Sequence, residues 1–229
     1  LCQRHKGTML LATPTFLRGF LRRCSPEDFA SVDIAITGAE KLPKDLADAF
    51  EGKFNIRPVE GYGATELSPL VSVNVPPSRS AGDSQIDRKE GTVGLPIPEV
   101  TAKITDLDTD EELGANASGM LWIKGPNVMK GYYGRQDLTD ELIVDGWYRT
   151  GDVAEIDDDG FIRITGRVSR FSKIGGEMVP HVQIEEMLNE IIESTDEDVL
   201  MAAVTAVPDK KRGERLIVIH RPLQQTPNE

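Results

Sequence analysis

Two glycines flank a tyrosine in Gly61-Tyr62-Gly63-Ala64-Thr65-Glu66. That spacing suits a flat ligand, because the glycines let backbone approach it closely and the ring offers a stacking face. Thr65 is a hydrogen-bond donor for a phosphate, and Glu66 supplies the carboxylate oxygen that Mg2+ prefers. A plain strand-to-loop turn with an incidental tyrosine accounts for the same residues without a ligand. The second candidate is Tyr148-Arg149-Thr150-Gly151-Asp152. Its one carboxylate, before a strand, can accept hydrogen bonds from both hydroxyls of a ribose; an aspartate in a surface turn is the alternative. The third runs from Gly166-Arg167-Val168-Ser169-Arg170 through Lys173, Gly175 and Gly176 to Glu177. Three basic residues and paired glycines there suit a hinge that touches an anion, or equally a solvated linker. His5, His181 and His220 stand apart from any nucleophile motif and read as structural or surface residues. No Ser-His-Asp arrangement or nucleophile elbow can be assembled.

The elements that must hold these residues change character along the chain. Short apolar runs at Met9–Leu11 and Ile34–Ile36 read as buried strands. Between them Phe16, Leu17, Phe20 and Leu21 make one helical stripe, and Leu46, Ala49 and Phe50 make another after Pro43. Strand, helix, strand, helix implies a parallel α/β layer over residues 1–80. From 81 to 166 the pattern is short alternating strands at Thr101–Ile104, Leu121–Ile123, Val153–Ile156 and Phe161–Thr165. Asp157-Asp158-Asp159-Gly160 marks a hairpin between the last two. This β-rich stretch reads as a small barrel. Residues 167–229 return to α+β, with a stripe at Ile184, Met187, Leu188, Ile191 and Ile192 and strands at Leu200–Val207 and Leu216–His220. The fold class expected is therefore α/β plus a β-barrel.

Composition narrows the function. The 229 residues are 39% hydrophobic and 28% charged, as in a globular protein. Net charge is +1 over residues 1–80, −10 over 81–166 and −3 over 167–229. So acidic a middle segment is repelled by a phosphate backbone, which argues against nucleic acid as a partner. Cys2 and Cys24 have no metal-ligand spacing and suggest neither a zinc site nor a disulfide framework. No apolar run is long enough to anchor this segment in a membrane, and a cytoplasmic setting is expected.

Together these segments resemble the adenylate-forming enzymes: acyl-CoA synthetases, luciferases and the adenylation domains of peptide synthetases. Gly61–Glu66 resembles the family's aromatic-Gly-x-Thr-Glu motif. Ser118-Gly119-Met120-Leu121-Trp122-Ile123-Lys124-Gly125, continuing to Gly131-Tyr132-Tyr133, resembles its barrel-strand motif. Tyr148–Asp152 resembles its Tyr-x-Thr-Gly-Asp motif, and Gly166-Arg167 opens its hinge motif. Within the family, Glu60–Glu66 with Pro69 and Val71–Pro76, and Arg170–Val179, are similar to the acyl-[acyl-carrier-protein] synthetase half of a bifunctional enzyme that also carries 2-acylglycerophosphoethanolamine acyltransferase.

The resemblance implies an ATP-dependent fatty acid ligase that forms acyl-AMP and passes the acyl group to the phosphopantetheine thiol of acyl carrier protein. Coupling to lysophospholipid acylation through another domain, at the inner membrane, would follow. A fatty acyl-CoA or aryl-CoA ligase is the second reading, and a non-catalytic nucleotide- or acyl-binding module the third. It implies that residues 1–166 are the C-terminal part of the large domain and 167–229 the start of a mobile C-terminal domain. Tyr62 would stack on adenine, with Gly38, Ala39 and Glu40 lining that pocket together with Gly61, Gly63 and Ala64. Thr65 would contact the α-phosphate, Glu66 would bind Mg2+, and Asp152 would hold the ribose with Arg167 assisting. The hinge position, commonly Asp or Lys, is Ser169 here, and Gly175 and Gly176 fit the loop that meets the pantetheine arm. The family's phosphate loop and its C-terminal lysine have no counterpart, so the chain is expected to be an internal fragment that does not turn over alone. Carrier protein would dock on the basic residues Arg167, Arg170 and Lys173 or on Lys210–Arg212.

Overall fold

The computed structural model describes residues 2–79, 87–175, 177–192, 201–209 and 211–221. It divides into two compact units, residues 1–150 with 154–165, and residues 151–153 with 166–229.

In the first unit a short helix, α1 (Cys2–His5), precedes strand β1 (Met9–Ala12) and helix α2 (Pro14–Arg23). Thr13 leads into α2 in an extended conformation and Pro14 occupies the first turn, where a missing N–H costs nothing. Strand β2 (Ile34–Thr37), helix α3 (Lys44–Phe54) and strand β3 (Pro58–Gly63) follow. Asn55 ends α3 in the left-handed region, a conformation asparagine tolerates better than most residues. The three strands are parallel, with Met9 opposite Ile34 and Ala35 opposite Pro58. The helices cover one sheet face through Leu17, Leu46, Phe50 and Phe54, with the Phe29 and Phe54 rings edge-on at 4.9 Å. The helical stripes are each displaced from the sequence expectation. Phe16 is 61% exposed while Leu17 is fully buried, and Ala47 rather than Ala49 lies inside. Neighbouring apolar residues compete for one inward direction, and packing decides between them.

The layer does not stay parallel. Strand β4 (Leu70–Val73) adds antiparallel to β3, and β5 (Leu95–Pro96) adds antiparallel to β4, giving the order β1-β2-β3-β4-β5. A second sheet comprises β6 (Thr101–Thr105), β7 (Gly119–Lys124), β8 (Ile143–Val144), β9 (Trp147–Ile156) and β10 (Ile162–Arg167), in the order β10-β9-β7-β6 with β8 beside β9. Helix α4 (Gln136–Leu142) leads into β8. This is a curled antiparallel half-barrel, where the sequence reads as a small barrel. The Asp157–Gly160 hairpin is as expected: Gly160 sits at φ 86° and donates its N–H to the Asp157 carbonyl at 2.9 Å. Leu67, Val71, Val100, Ile104, Leu121, Ile123 and Tyr148 form the core here. Lys103, Lys124 and Arg149 interleave with Trp122 and Trp147, Lys103 standing 4.7 Å from the Trp147 ring centre.

In the second unit β11 (Phe171–Ile174), β12 (Glu177–Pro180), helix α5 (His181–Ile191), β13 (Ala202–Asp209) and β14 (Gly213–His220) make a sheet ordered β12-β11-β14-β13. Its neighbouring strands all pair antiparallel. Leu200, expected to open β13, lies outside the described residues. Helix α5 departs from the apolar stripe read in the sequence: Met187 and Ile191 are exposed, and the polar His181 and Glu185 are buried. Glu185 is held inside because Arg170 pairs with both its oxygens at 2.6 Å and the Val204 N–H donates to it at 2.6 Å. Burial is thus set by satisfied polar groups as well as by apolar ones. No helix among the described residues is long and apolar enough to cross a membrane.

Candidate functional site

The carboxyl end of β2 lies beside the middle of β3, with Thr37 opposite Glu60, so the segment that follows β2 neighbours the last half of β3. Gly38-Ala39-Glu40 leaves β2 with Ala39 at φ 69°. The Glu40 carboxylate accepts hydrogen bonds from the Thr15 N–H at 3.3 Å and its hydroxyl at 2.9 Å, which ties this turn to the start of α2. Beside it, the motif Gly61-Tyr62-Gly63 is strand rather than loop. It pairs with β4, and the register slips between Tyr62 and Gly63. A Cβ on Gly63 would lie 1.8 Å from the Pro69 carbonyl oxygen, so the chain's own backbone already demands glycine here. Tyr62 and Ala64 pack against the half-barrel core, half-buried.

Thr65, Glu66 and Leu67 form one tight turn. Leu67 is fully buried and roots it, while Thr65 is exposed. The Glu66 carbonyl accepts the Met129 N–H at 2.8 Å, and its Oε1 accepts the Tyr132 hydroxyl at 2.8 Å. Oε2 has no hydrogen-bond partner among the described residues. Tyr132 is held in turn: its N–H donates to the Thr139 hydroxyl at 2.9 Å, and that hydroxyl donates to the Arg135 carbonyl at 3.1 Å. Burial, then the Glu66 carboxylate, keeps the Tyr132 phenol above the usual tyrosine range, against a hydrogen bond from Tyr148. Tyr148 opens the Tyr148–Asp152 motif, so one chain of hydroxyls joins three separate sequence segments. Sequence reasoning gave Tyr132 and Tyr148 no role of their own. The only signal was their place inside two motifs, since tyrosine is as often core as functional.

The second unit carries the remaining candidates. Asp152 is buried, and Arg167 Nε donates to its Oδ1 at 2.8 Å while the rest of the guanidinium side chain stays open to solvent. The carboxylate and the arginine expected to share a ribose are thus brought together. Ser169 is exposed in the turn Val168–Arg170. Gly175 sits at φ 62° and donates its N–H to the Arg212 carbonyl at 2.9 Å. Gly176 and Lys210 lie outside the described residues.

In the sequence Glu60 stands out only as part of the stretch Glu60–Glu66. Its Oε1 accepts the Leu42 N–H at 3.0 Å, and burial holds its carboxyl above the usual carboxylate range. It lines a cleft of about 90 Å³ with Leu42, Arg57, Asn74 and Lys89.

Among the described residues no group of three or more His, Cys, Asp or Glu side chains gathers to hold a metal. That excludes a protein-only cage there but not Mg2+, which binds through one or two carboxylates and fills its octahedron with water and phosphate oxygens. Glu66, with one oxygen held by a neutral donor and the other open, fits such an ion.

A family model of AMP-binding enzymes matches residues 1–133. A long-chain-fatty-acid–CoA ligase of Yersinia pestis is 35% identical over 205 residues, covering 88% of this chain and 34% of that protein. A mitochondrial medium-chain acyl-CoA ligase of Mus musculus is 34% identical over 217 residues, 93% of this chain and 34% of its own length. Among solved structures, ATP-bound MatB from Rhodopseudomonas palustris aligns with a TM-score of 0.76 at 29% identity, over 99% of this chain and 43% of that one. O-succinylbenzoate coenzyme A synthetase of Bacillus subtilis in complex with AMP aligns at 0.74 and 27% identity, over 97% and 43%. The chain spans about a third of the length of these curated relatives.

Proposed function

The chain belongs to the AMP-binding enzyme family, and from that premise we propose that it is the nucleotide-holding part of an ATP-dependent acid–thiol ligase acting on a fatty acid. In that reaction a carboxylate oxygen attacks the α-phosphorus of ATP, the bond to pyrophosphate breaks, and acyl-AMP forms. A thiol sulfur then attacks the acyl carbon, the carbon–oxygen bond to AMP breaks, and the thiol proton is lost to solvent. The observation that carries the reading is the turn after β3. An exposed Thr65 hydroxyl and a Glu66 carboxylate with one open oxygen stand immediately beyond a half-buried Tyr62.

In the roles we assign, Tyr62 stacks on adenine, and Gly38, Ala39, Glu40, Gly61, Gly63 and Ala64 shape that pocket. Thr65 donates to the α-phosphate. Asp152 accepts from the ribose hydroxyls, and Arg167 keeps it aimed. Glu66 would hold Mg2+, which when bound offsets the phosphate charge that develops during attack. Donors and charges fixed in advance stabilise such a transition state more than the ground state. Residues 1–80 and 81–166 would belong to the large domain, and 167–229 would open a mobile one that pivots at Ser169, with Gly175 and Gly176 meeting the pantetheine arm. Because the chain spans a third of its relatives, we infer that these 229 residues alone form no acyl-adenylate at a family rate; turnover by the purified chain refutes that.

Two acceptors are in contention. The stretches Glu60–Pro76 and Arg170–Val179 support acyl carrier protein, with lysophospholipid acylation as a coupled step. The names of the relatives support coenzyme A. Supplying each thiol in turn to the full-length protein with ATP and a fatty acid separates them: the true acceptor is acylated and the other is not. Carrier protein would dock on Arg167, Arg170 and Lys173 or on Lys210–Arg212; Arg167 and Arg170 also pair with Asp152 and Glu185. The nucleotide reading itself is tested by titrating a non-hydrolysable ATP analogue into the chain. Saturable one-to-one binding is expected, and its absence refutes the reading.

A further inference from the structure

The hydroxyl chain Tyr148–Tyr132–Glu66 is more than the nucleotide reading requires. Thr65 and Glu66 would reach a nucleotide without it, and the turn is already rooted by Leu67 and by the Met129 N–H on the Glu66 carbonyl. What Tyr132 adds is a constraint on the carboxylate, since its hydroxyl takes a lone pair of Oε1 at 2.8 Å and leaves Oε2 the unengaged oxygen. A carboxylate so held favours ligation through one oxygen. Mg2+ accepts that, because it requires near-ideal octahedral geometry and takes carboxylates one oxygen at a time. Ca2+ takes six to eight oxygens and often both from one carboxylate.

We propose that Tyr132 is a positioning residue that restricts Glu66 to one free oxygen and thereby sets the site's preference for Mg2+ over Ca2+. The proposal rests on the nucleotide reading above. Tyr132 is itself fixed by Thr139 through its N–H, and by Tyr148 through its hydroxyl. A Cβ on Gly131 would lie 2.7 Å from the Thr139 methyl, so the strand motif's glycine lets this bond form. Tyr148, 5% exposed within the core, donates to Tyr132 and leaves the Tyr132 proton to point at Glu66. The sequence Gly131-Tyr132 and the first residue of Tyr148–Asp152 thus serve the carboxylate of a third motif.

The test is calorimetric titration of a non-hydrolysable ATP analogue into the chain with Mg2+, with Ca2+, or with a chelator. Wild type, Tyr132→Phe, Tyr148→Phe and Glu66→Gln are compared, with circular dichroism confirming that each is folded. Tyr132→Phe should lower the ratio of Mg2+-supported to Ca2+-supported affinity about tenfold and leave the metal-free affinity unchanged. Tyr148→Phe should shift the ratio in the same direction by less, and Glu66→Gln should abolish it. A Tyr132→Phe ratio equal to wild type, or an equal loss under all three conditions, overturns the proposal, because a merely structural tyrosine would weaken all three alike. If wild type binds no nucleotide, the functional reading falls and the proposal with it.

Discussion

Glu66 in the first unit and Asp152 in the second are both carboxylates with one oxygen already engaged, but their partners differ in kind. A neutral phenol holds Glu66, and a guanidinium holds Asp152. A neutral donor aims a carboxylate and leaves its charge available, so Glu66 is suited to a cation. A guanidinium offsets the charge and leaves lone pairs, so Asp152 is suited to accepting hydrogen bonds from uncharged hydroxyls. Glu185 shows a third outcome. Arg170 takes both its oxygens and the Val204 N–H shares one, so nothing is left for a ligand and the carboxylate serves the fold. The partner, more than the residue type, decides what each carboxylate can do.

The largest effect that breaks or sharpens this contrast is expected at Asp152. Asp152→Ala removes the acceptor for two hydroxyls and should weaken binding of an acyl-adenylate analogue about 100-fold, at about 1.5 kcal/mol or more for each charge-assisted hydrogen bond. Retained affinity would show that Arg167 holds a carboxylate that meets no ligand. Glu185→Leu should instead lower stability by about 1–3 kcal/mol, because it leaves the Val204 N–H without an acceptor; thermal unfolding measures it. A Glu185 variant of unchanged stability but altered ligand affinity would reverse its role. Tyr132→Phe comes next, with the about tenfold change in metal preference given above.

The smallest effect is at Glu60, whose carboxylate accepts the Leu42 N–H and feels the Lys41 charge. Burial raises its carboxyl pKa, so the folded state favours the protonated form more than the unfolded state does. Its contribution is therefore fully present below the unfolded pKa and is lost as pH rises through the folded value. Glu60→Gln keeps an acceptor for Leu42 and cannot ionise. It should be more stable than wild type by at most about 1 kcal/mol at neutral pH, with the gain gone below about pH 4. Denaturant unfolding at both pH values checks the sign.

Much of the scaffold was legible because it depends on local pattern. Short apolar runs gave β1 and β2, although Met9 and Leu11 of β1 are exposed where a buried strand is expected; alternation gave β6 and β7, and the Asp-Gly cluster gave the hairpin before β10. The errors lie where a distant element decides. Phe16 against Leu17 and Ala49 against Ala47 depend on how each helix rolls on the sheet, and Met187 and Ile191 lost the inward face of α5 to a satisfied Glu185. The segment Gly61–Gly63 reads as backbone that lets a flat ligand approach, or as a strand-to-loop turn without one; pairing with β4, too short to announce itself, makes it a strand, and the Pro69 carbonyl just before β4 forbids a side chain at Gly63. The individual candidates Glu66, Asp152 and Arg167 were all visible as residue types in motifs. Their partners were not, because Glu66 and Tyr132 are separated by 66 positions and no spacing rule connects them.

The central claim, that this chain holds an adenylate, is tested most directly by titrating a non-hydrolysable fatty acyl-AMP analogue into wild type and Asp152→Ala side by side. The account predicts one saturable site in wild type and its near-complete loss in the variant. Equal binding by both, or none by wild type, would contradict it.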